Sequence, residues 1–303
     1  MLKDSNANIF NDLATLTEAG ISILDAARRV ADSFPKNDAW PKVIQQLARG
    51  TRLSLALGKS GLISRYEREV ISVAEFAGRV PQGLRSIANS YDKRRQRISR
   101  LKSKLYYPFA ILVVGIVVAG ILQIARNSEV SVFLVFARSL VLLVIAIMIT
   151  KLILNSLQKD ACYWLNKANG YDTNEWYRMQ FQQVVFGALL WHNRSGIDFK
   201  TGFSRISKLI DNKSIRKKLL IASQYCGQGT SVTNSIRQAK LPITHELMQI
   251  LMTAEQSGRW EESVNRYLEQ NEMLLDLRID NAFEWAPRIY YGIIVLAVIG
   301  VIL

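Results

Sequence analysis

Leu57-Gly58-Lys59-Ser60 ends like a nucleotide-binding loop, in which backbone N–H groups cradle phosphate and the lysine reaches the outer phosphates. The pattern also requires a glycine at position 53 and a preceding strand, but position 53 is Leu53 and the flanking residues have helical spacing. Gly227-Gln228-Gly229 lacks the third glycine of a dinucleotide-binding turn. Cys162, His192, Cys226 and His245 could in principle bind zinc, yet their separations of 30, 34 and 19 residues contain none of the close ligand pairs that structural zinc sites use. His192 precedes Ser195 without a nucleophile elbow or oxyanion loop. The sequence therefore supplies no catalytic, cofactor-binding or metal site, and the chain reads as a non-enzyme.

The elements around these residues are helices and apolar runs. Leu105 to Leu154 holds two runs of 20 or more mostly apolar residues, about 105–125 and 130–154, broken at Arg126-Asn127-Ser128-Glu129. At about 1.5 Å per residue each would reach roughly 30 Å, the thickness of a hydrocarbon core. A third run, Ile289–Leu303, follows Pro287 and Arg288. The expected class is an all-α membrane protein with three spans and two polar domains of about six helices each. Its expected divisions are 1–104, the hairpin 105–154, 155–286, and the last span 287–303.

Charge orients this arrangement. The chain has 39 Lys+Arg against 25 Asp+Glu, a net of +14, and the excess is uneven: residues 1–104 carry 19 basic and 10 acidic side chains, residues 155–286 carry 16 and 14. The densest cluster, Lys93, Arg94, Arg95, Arg97, Arg100, Lys102 and Lys104, lies directly before the first span. Cationic flanks stay on the cytoplasmic side, so the N-terminus is expected inside, and such a neck can also contact anionic lipid at about 1 kcal/mol per cation. The first 30 residues lack the apolar core of a signal peptide. Both cysteines would then be reduced thiols. The neck has no interleaved aromatics and no recognised nucleic-acid module.

Residues 5–33 read as two helices broken at Gly20, the second capped by Ser22 and ending before Pro35. A third helix spans about 39–49, and a short fourth lies between Gly50 and the Gly58/Gly61 pair. Ser64-Arg65-Tyr66-Glu67 is a capping box opening a fifth, which Gly78 ends. Pro81 suits the first turn of a sixth, whose apolar stripe Leu84, Ile87, Ala88, Tyr91, Ile98, Leu101 continues towards the first span.

The second domain repeats the first. Phe10 and Ala19-Gly20-Ile21 match Phe186 and Ser195-Gly196-Ile197; Gly50-Thr51 matches Gly229-Thr230; Glu75-Phe76-Ala77-Gly78-Arg79 matches Glu255-Gln256-Ser257-Gly258-Arg259. The offsets grow slowly, 176, 179 and 180, as small loop insertions would make them. Each Glu-x-x-Gly is expected to cap or pair locally at its glutamate and to turn left-handed at its glycine.

With two bundles, a glycine after each first helix (Gly20, Gly196) and Glu75…Gly78 and Glu255…Gly258 before each last helix, the chain resembles the F proteins of type II secretion systems and the inner-membrane platform proteins of type IV pili. Lys104-Leu105-Tyr106-Tyr107-Pro108 is similar to the family's approach to its first span. The Arg126–Glu129 break is shorter than the connection many members have there. The resemblance implies a bacterial inner-membrane, multi-pass platform that couples a cytoplasmic hexameric motor ATPase to the assembly of pilin-like subunits. Its implied neighbours are other inner-membrane machine components and further copies of itself, with no nucleic acid. The basic excess of the first domain suggests divided labour, and Arg28, Arg29, Arg49, Arg52, Arg65 and Arg68 are its candidate partner-binding residues. The rival readings are a tethered adaptor that binds nucleic acid and a transporter or membrane enzyme with regulatory helical domains.

Overall fold

A computed structural model describes residues 4–34, 38–126 and 174–285, with isolated positions at 140, 141, 144, 147, 148, 151, 288 and 292. The second and third expected spans fall almost wholly outside these residues, as do Asn127–Glu129, Cys162 and Pro287. The described residues form twelve α-helices. The first set is α1 (Asp4–Glu18), α2 (Ile23–Ser33), α3 (Trp40–Ala48), α4 (Leu53–Lys59), α5 (Arg65–Phe76) and α6 (Val80–Arg126). The second is α7 (Glu175–Arg194), α8 (Phe199–Ser207), α9 (Lys213–Gly227), α10 (Val232–Gln238), α11 (His245–Ser257) and α12 (Trp260–Phe283). Among the described residues no helix is long and apolar enough to cross a membrane.

Local signals place the helix ends. The Ser22 side chain accepts from Asp25 N at 3.2 Å, and Ser64 with Glu67 closes the capping box of α5. In the second set Asn174, Asp198, Asn212, Ser231 and Thr244 each cap a helix with a side-chain oxygen.

The two sets share one helix order and one pattern of left-handed residues. Gly20, Gly50, Gly61 and Gly78 fall after α1, α3, α4 and α5; Gly196, Gly229, Lys240 and Gly258 fall after α7, α9, α10 and α11. Lys240, at φ 50°, stands where the first set has Gly61 at φ 74°. Its N–H reaches Arg237 O at 3.1 Å and the next N–H, of Leu241, reaches Ile236 O at 3.2 Å, the paired bonds of a helix C-terminal turn that a glycine ordinarily makes.

The chain divides into two compact units, one of residues 1–93 and 160–275 and one of 94–159 and 276–303. Both sets pack in the first unit, each around its own core. One core gathers Ile9, Phe10, Leu13, Trp40 and Leu57; the other gathers Phe181, Phe186, Phe203, Leu219 and Leu251. Phe10 and Phe186 occupy matching places, each no more than 1% exposed. Tyr66 of α5 packs against both cores, and α5 lies on α7.

Candidate functional site: signature turns, repeat seam and basic surfaces

A short helix leaves its first backbone N–H groups without internal partners. At α4 the capping position is Arg52, whose side chain makes no capping bond. Glu75, the last but one residue of the neighbouring α5, meets this need: its carboxylate accepts from Ser54 N at 3.3 Å and from the Ser54 hydroxyl. At α10 the Glu255 carboxylate accepts from Val232 N at 2.7 Å and Thr233 N at 3.2 Å, beside the Ser231 cap. A carboxylate there also opposes the positive end of the helix dipole. Three residues further on, Gly78 and Gly258 take φ 67° and 68°. Gly78 N bonds Glu75 O at 3.2 Å and Arg79 N bonds Ala74 O at 2.8 Å, which ends α5 and turns the chain into α6. The glutamate and the glycine of each signature thus act at one junction, the first on a neighbouring helix and the second on its own.

Between the two repeats runs a polar seam. Glu69 of α5 meets Arg205 Nε at 2.6 Å and His192 Nε2 at 3.1 Å, and Arg205 also donates to the Ser72 hydroxyl at 3.0 Å. His192 is buried, with Nδ1 2.7 Å from Ala188 O. Its two ring nitrogens thus face two oxygens, one on its own helix and one across the seam. Burial by itself would push the Glu69 carboxyl up; the hydrogen bond from His192 and the charge and hydrogen bond of Arg205 hold it below its ordinary value. Around this centre Arg65 pairs with Asp211 at 2.7 Å and Arg79 donates to Arg194 O at 3.0 Å. The Tyr66 hydroxyl lies 2.9 Å from where a Cβ on Gly187 would stand, so α5 and α7 approach closely there. His192 is therefore a seam residue. Nothing in its own neighbourhood of sequence shows this, because Glu69 lies 123 positions away.

The other chemistry-bearing residues are dispersed. Cys226 is a half-buried free thiol, its pKa pushed up first by burial and further by the charges of Glu255 and Asp198. His245 is exposed and bonds Gln249. Among the described residues no group of three His, Cys, Asp or Glu side chains is placed to hold a metal. An open hollow of about 600 Å³ lies beside Gly258, and of the charges that line it Arg194 meets Glu261 at 2.8 Å and Arg266 meets Glu262 at 3.1 Å.

The six candidate arginines divide by environment. Arg28 pairs with Asp25 at 3.2 Å and Arg29 is exposed beside it on α2. Arg65 belongs to the seam, and the stem of Arg68 covers Gly58. Arg49 ends α3 and Arg52 opens α4; both are exposed, and neither forms an ion pair among the described residues.

The neck, expected to set topology and to contact anionic lipid, has much of its charge matched within the chain. Lys93 meets Glu272 at 2.7 Å; Arg97 and, at 3.6 Å, Arg100 meet Asp276; Lys104 meets Asp280 at 3.9 Å. Glu272, Asp276 and Asp280 recur every fourth residue and so line one face of α12. Arg95 and Lys102 are exposed, and Arg94 is engaged within the chain. Counting charge by domain hid this, since the acids were credited to the second repeat.

Comparison with known proteins finds relatives along most of the chain. Residues 9–125, from α1 almost to the end of α6, match the family model described as type II secretion system protein F. The chain is 22% identical over 348 positions to the type II secretion system protein F of Pseudomonas aeruginosa, covering 98% of this chain and 80% of the relative. It is 23% identical over 330 positions to that of Vibrio cholerae, covering 97% and 77%. It is 26% identical over 120 residues to the protein transport protein HofC homolog of Escherichia coli, covering 38% of this chain and 30% of that relative. These similarities agree with the family resemblance read from the sequence.

Proposed function

We propose that the chain, whose residues 9–125 match the family model of the type II secretion F proteins, is a non-enzymatic assembly platform of the bacterial inner membrane, serving a type II secretion or type IV pilus machine. The observation that carries this is the near full-length match to two secretion F proteins. Three membrane spans, 105–125, 130–154 and 287–303, join cytoplasmic bundles at 1–104 and 155–286, with the N-terminus inside. The apolar runs support the spans, and so does the exposure of Val114, Val117, Val118 and Ile121, which recur at helical spacing and leave one apolar face open to a non-aqueous neighbour. A protein of this design transmits motion. A cytoplasmic hexameric ATPase supplies the energy, the first bundle is its principal docking surface through the basic candidates, and pilin-like subunits are the load.

Two measurements test this. Deleting the gene should abolish secretion or surface piliation, with recovery from a plasmid copy, and the chain should stay in membranes through alkaline carbonate washing. Undiminished secretion and piliation in the deletion strain, or release of the chain by carbonate, refutes the reading. Docking on the motor should weaken with salt and with Arg49→Glu plus Arg52→Glu; unchanged affinity removes that surface while leaving the platform.

A further inference from the structure

The repeat makes an internal control for the surface around the first Glu cap. The end of α3, the whole of α4 and the end of α5 correspond position by position to the ends of α9, α10 and α11, because the same caps, left-handed residues and glutamate contacts mark both. Arg49, the C-cap of α3, corresponds to Gln228, the C-cap of α9; Arg52, the N-cap of α4, corresponds to Ser231, the N-cap of α10. Lys59, the last residue of α4, corresponds to Gln238, the last of α10. Leu55 and Phe76 flank the contact between Ser54 and Glu75, and correspond to Asn234 and Gln256.

All these side chains point to solvent except through their own helix, so folding asks nothing different of the two copies. Phe76 is 70% exposed and Leu55 44%, and Arg49, Arg52 and Lys59 are exposed as well. The equivalent surface of the second repeat is Gln228, Ser231, Asn234, Gln238 and Gln256, polar and uncharged. The one cation of α10, Arg237, turns onto the Met252 sulfur at 3.2 Å and corresponds to Gly58. An exposed phenylalanine among cations is unfavourable in water and is the composition of a protein-binding hot spot, an aromatic anchor with charges that select and steer the partner.

We propose that Phe76 and Leu55, ringed by Arg49, Arg52 and Lys59, form a docking surface for an acidic protein segment that carries an apolar anchor side chain. The occupant is set by charge complementarity: three cations, with no acid in the equivalent set, exclude a basic partner, and the aromatic requires more than charge. The proposal rests on the platform reading only in taking the partner to be a protein.

The test uses the full chain in mild detergent and a fluorescein-labelled peptide alternating glutamate with leucine and phenylalanine, read by anisotropy. Saturable binding is expected, weaker at high salt, and absent for peptides of glutamate alone or with lysine in place of glutamate. Arg49→Gln, Arg52→Ser, Leu55→Asn and Phe76→Gln together give the first repeat the second repeat's own residues, so the fold is retained. Because Arg52→Ser supplies the cap that α4 lacks, a melting temperature at or above the wild-type value marks a retained fold. This variant should bind at least tenfold more weakly, and Phe76→Gln alone should account for much of the loss. The converse set, Gln228→Arg, Ser231→Arg, Asn234→Leu and Gln256→Phe, should add a second equivalent site. No binding by the wild-type chain, equal binding of the lysine peptide, or wild-type affinity in the four-residue variant each overturns the proposal. No peptide binding by a wild-type chain that restores secretion to the deletion strain removes this surface and leaves the platform role; saturable peptide binding by a wild-type chain whose deletion leaves secretion and piliation undiminished does the reverse.

Discussion

The two short helices α4 and α10 have the same length, a glutamate from a neighbouring helix at each N-terminus and a left-handed residue behind each, yet they meet solvent with different chemistry. What they keep is what the backbone requires: partners for the first N–H groups and a reversal after the last turn. What they change is free of that requirement. Duplication thus separates residues held by folding from residues open to function, a distinction one copy cannot offer. The neck adds a caution, because an asymmetry of net charge can be met inside the same chain, as Glu272, Asp276 and Asp280 meet Lys93, Arg97, Arg100 and Lys104.

The strongest test of structural equivalence is in the cores. Phe10→Ala and Phe186→Ala should each destabilise by about 3–5 kcal/mol, the cost of a large buried cavity. Chemical denaturation that shows one of them to be neutral breaks the correspondence. Next come the turns: Gly78→Val and Gly258→Val should each cost about 1–3 kcal/mol, since a β-branched side chain is strained at positive φ. A thermal melt unchanged by either removes that turn from the argument. The glutamates should then differ in a predictable direction. Glu75→Ala should cost about 1–2 kcal/mol because Arg52 makes no side-chain cap, whereas Glu255→Ala should cost about half as much because Ser231 still caps α10. Equal losses would mean that the two caps are not arranged as described.

Acidity tests the seam. Glu69 has a folded pKa below its unfolded value, so its stabilising contribution is complete above the ordinary carboxylate range and is lost as pH falls through the lower, folded value. Stability of the wild-type chain should therefore fall more steeply on acidification than that of Glu69→Gln, and identical acid limbs in the two would exclude the pair with His192 and Arg205 from the stability of the unit. The smallest effect is at the exception to the glycine pattern. Lys240→Gly should raise stability by about 0.5–1 kcal/mol by relieving a left-handed non-glycine, and Gly61→Lys should lower it by a similar amount. A destabilised Lys240→Gly would show that the lysine side chain contributes more than its strain costs.

Helix ends, the capping box at Ser64 and the proline in the first turn of α6 were legible in the sequence alone. Each depends on groups within four residues of one another, where side-chain type and backbone need are read together. The family followed from the order of those local signals. Lys240 escaped because a lysine carries no sign of the left-handed backbone that its neighbours impose. The partners of Glu75, Glu255, Glu69, His192 and the neck cations were decided only by tertiary structure. A carboxylate has no preferred distance along the chain, so whether it caps a helix 21 residues earlier, locks a histidine 123 residues later or neutralises a lysine 179 residues away depends on which helix faces it once two cores have packed.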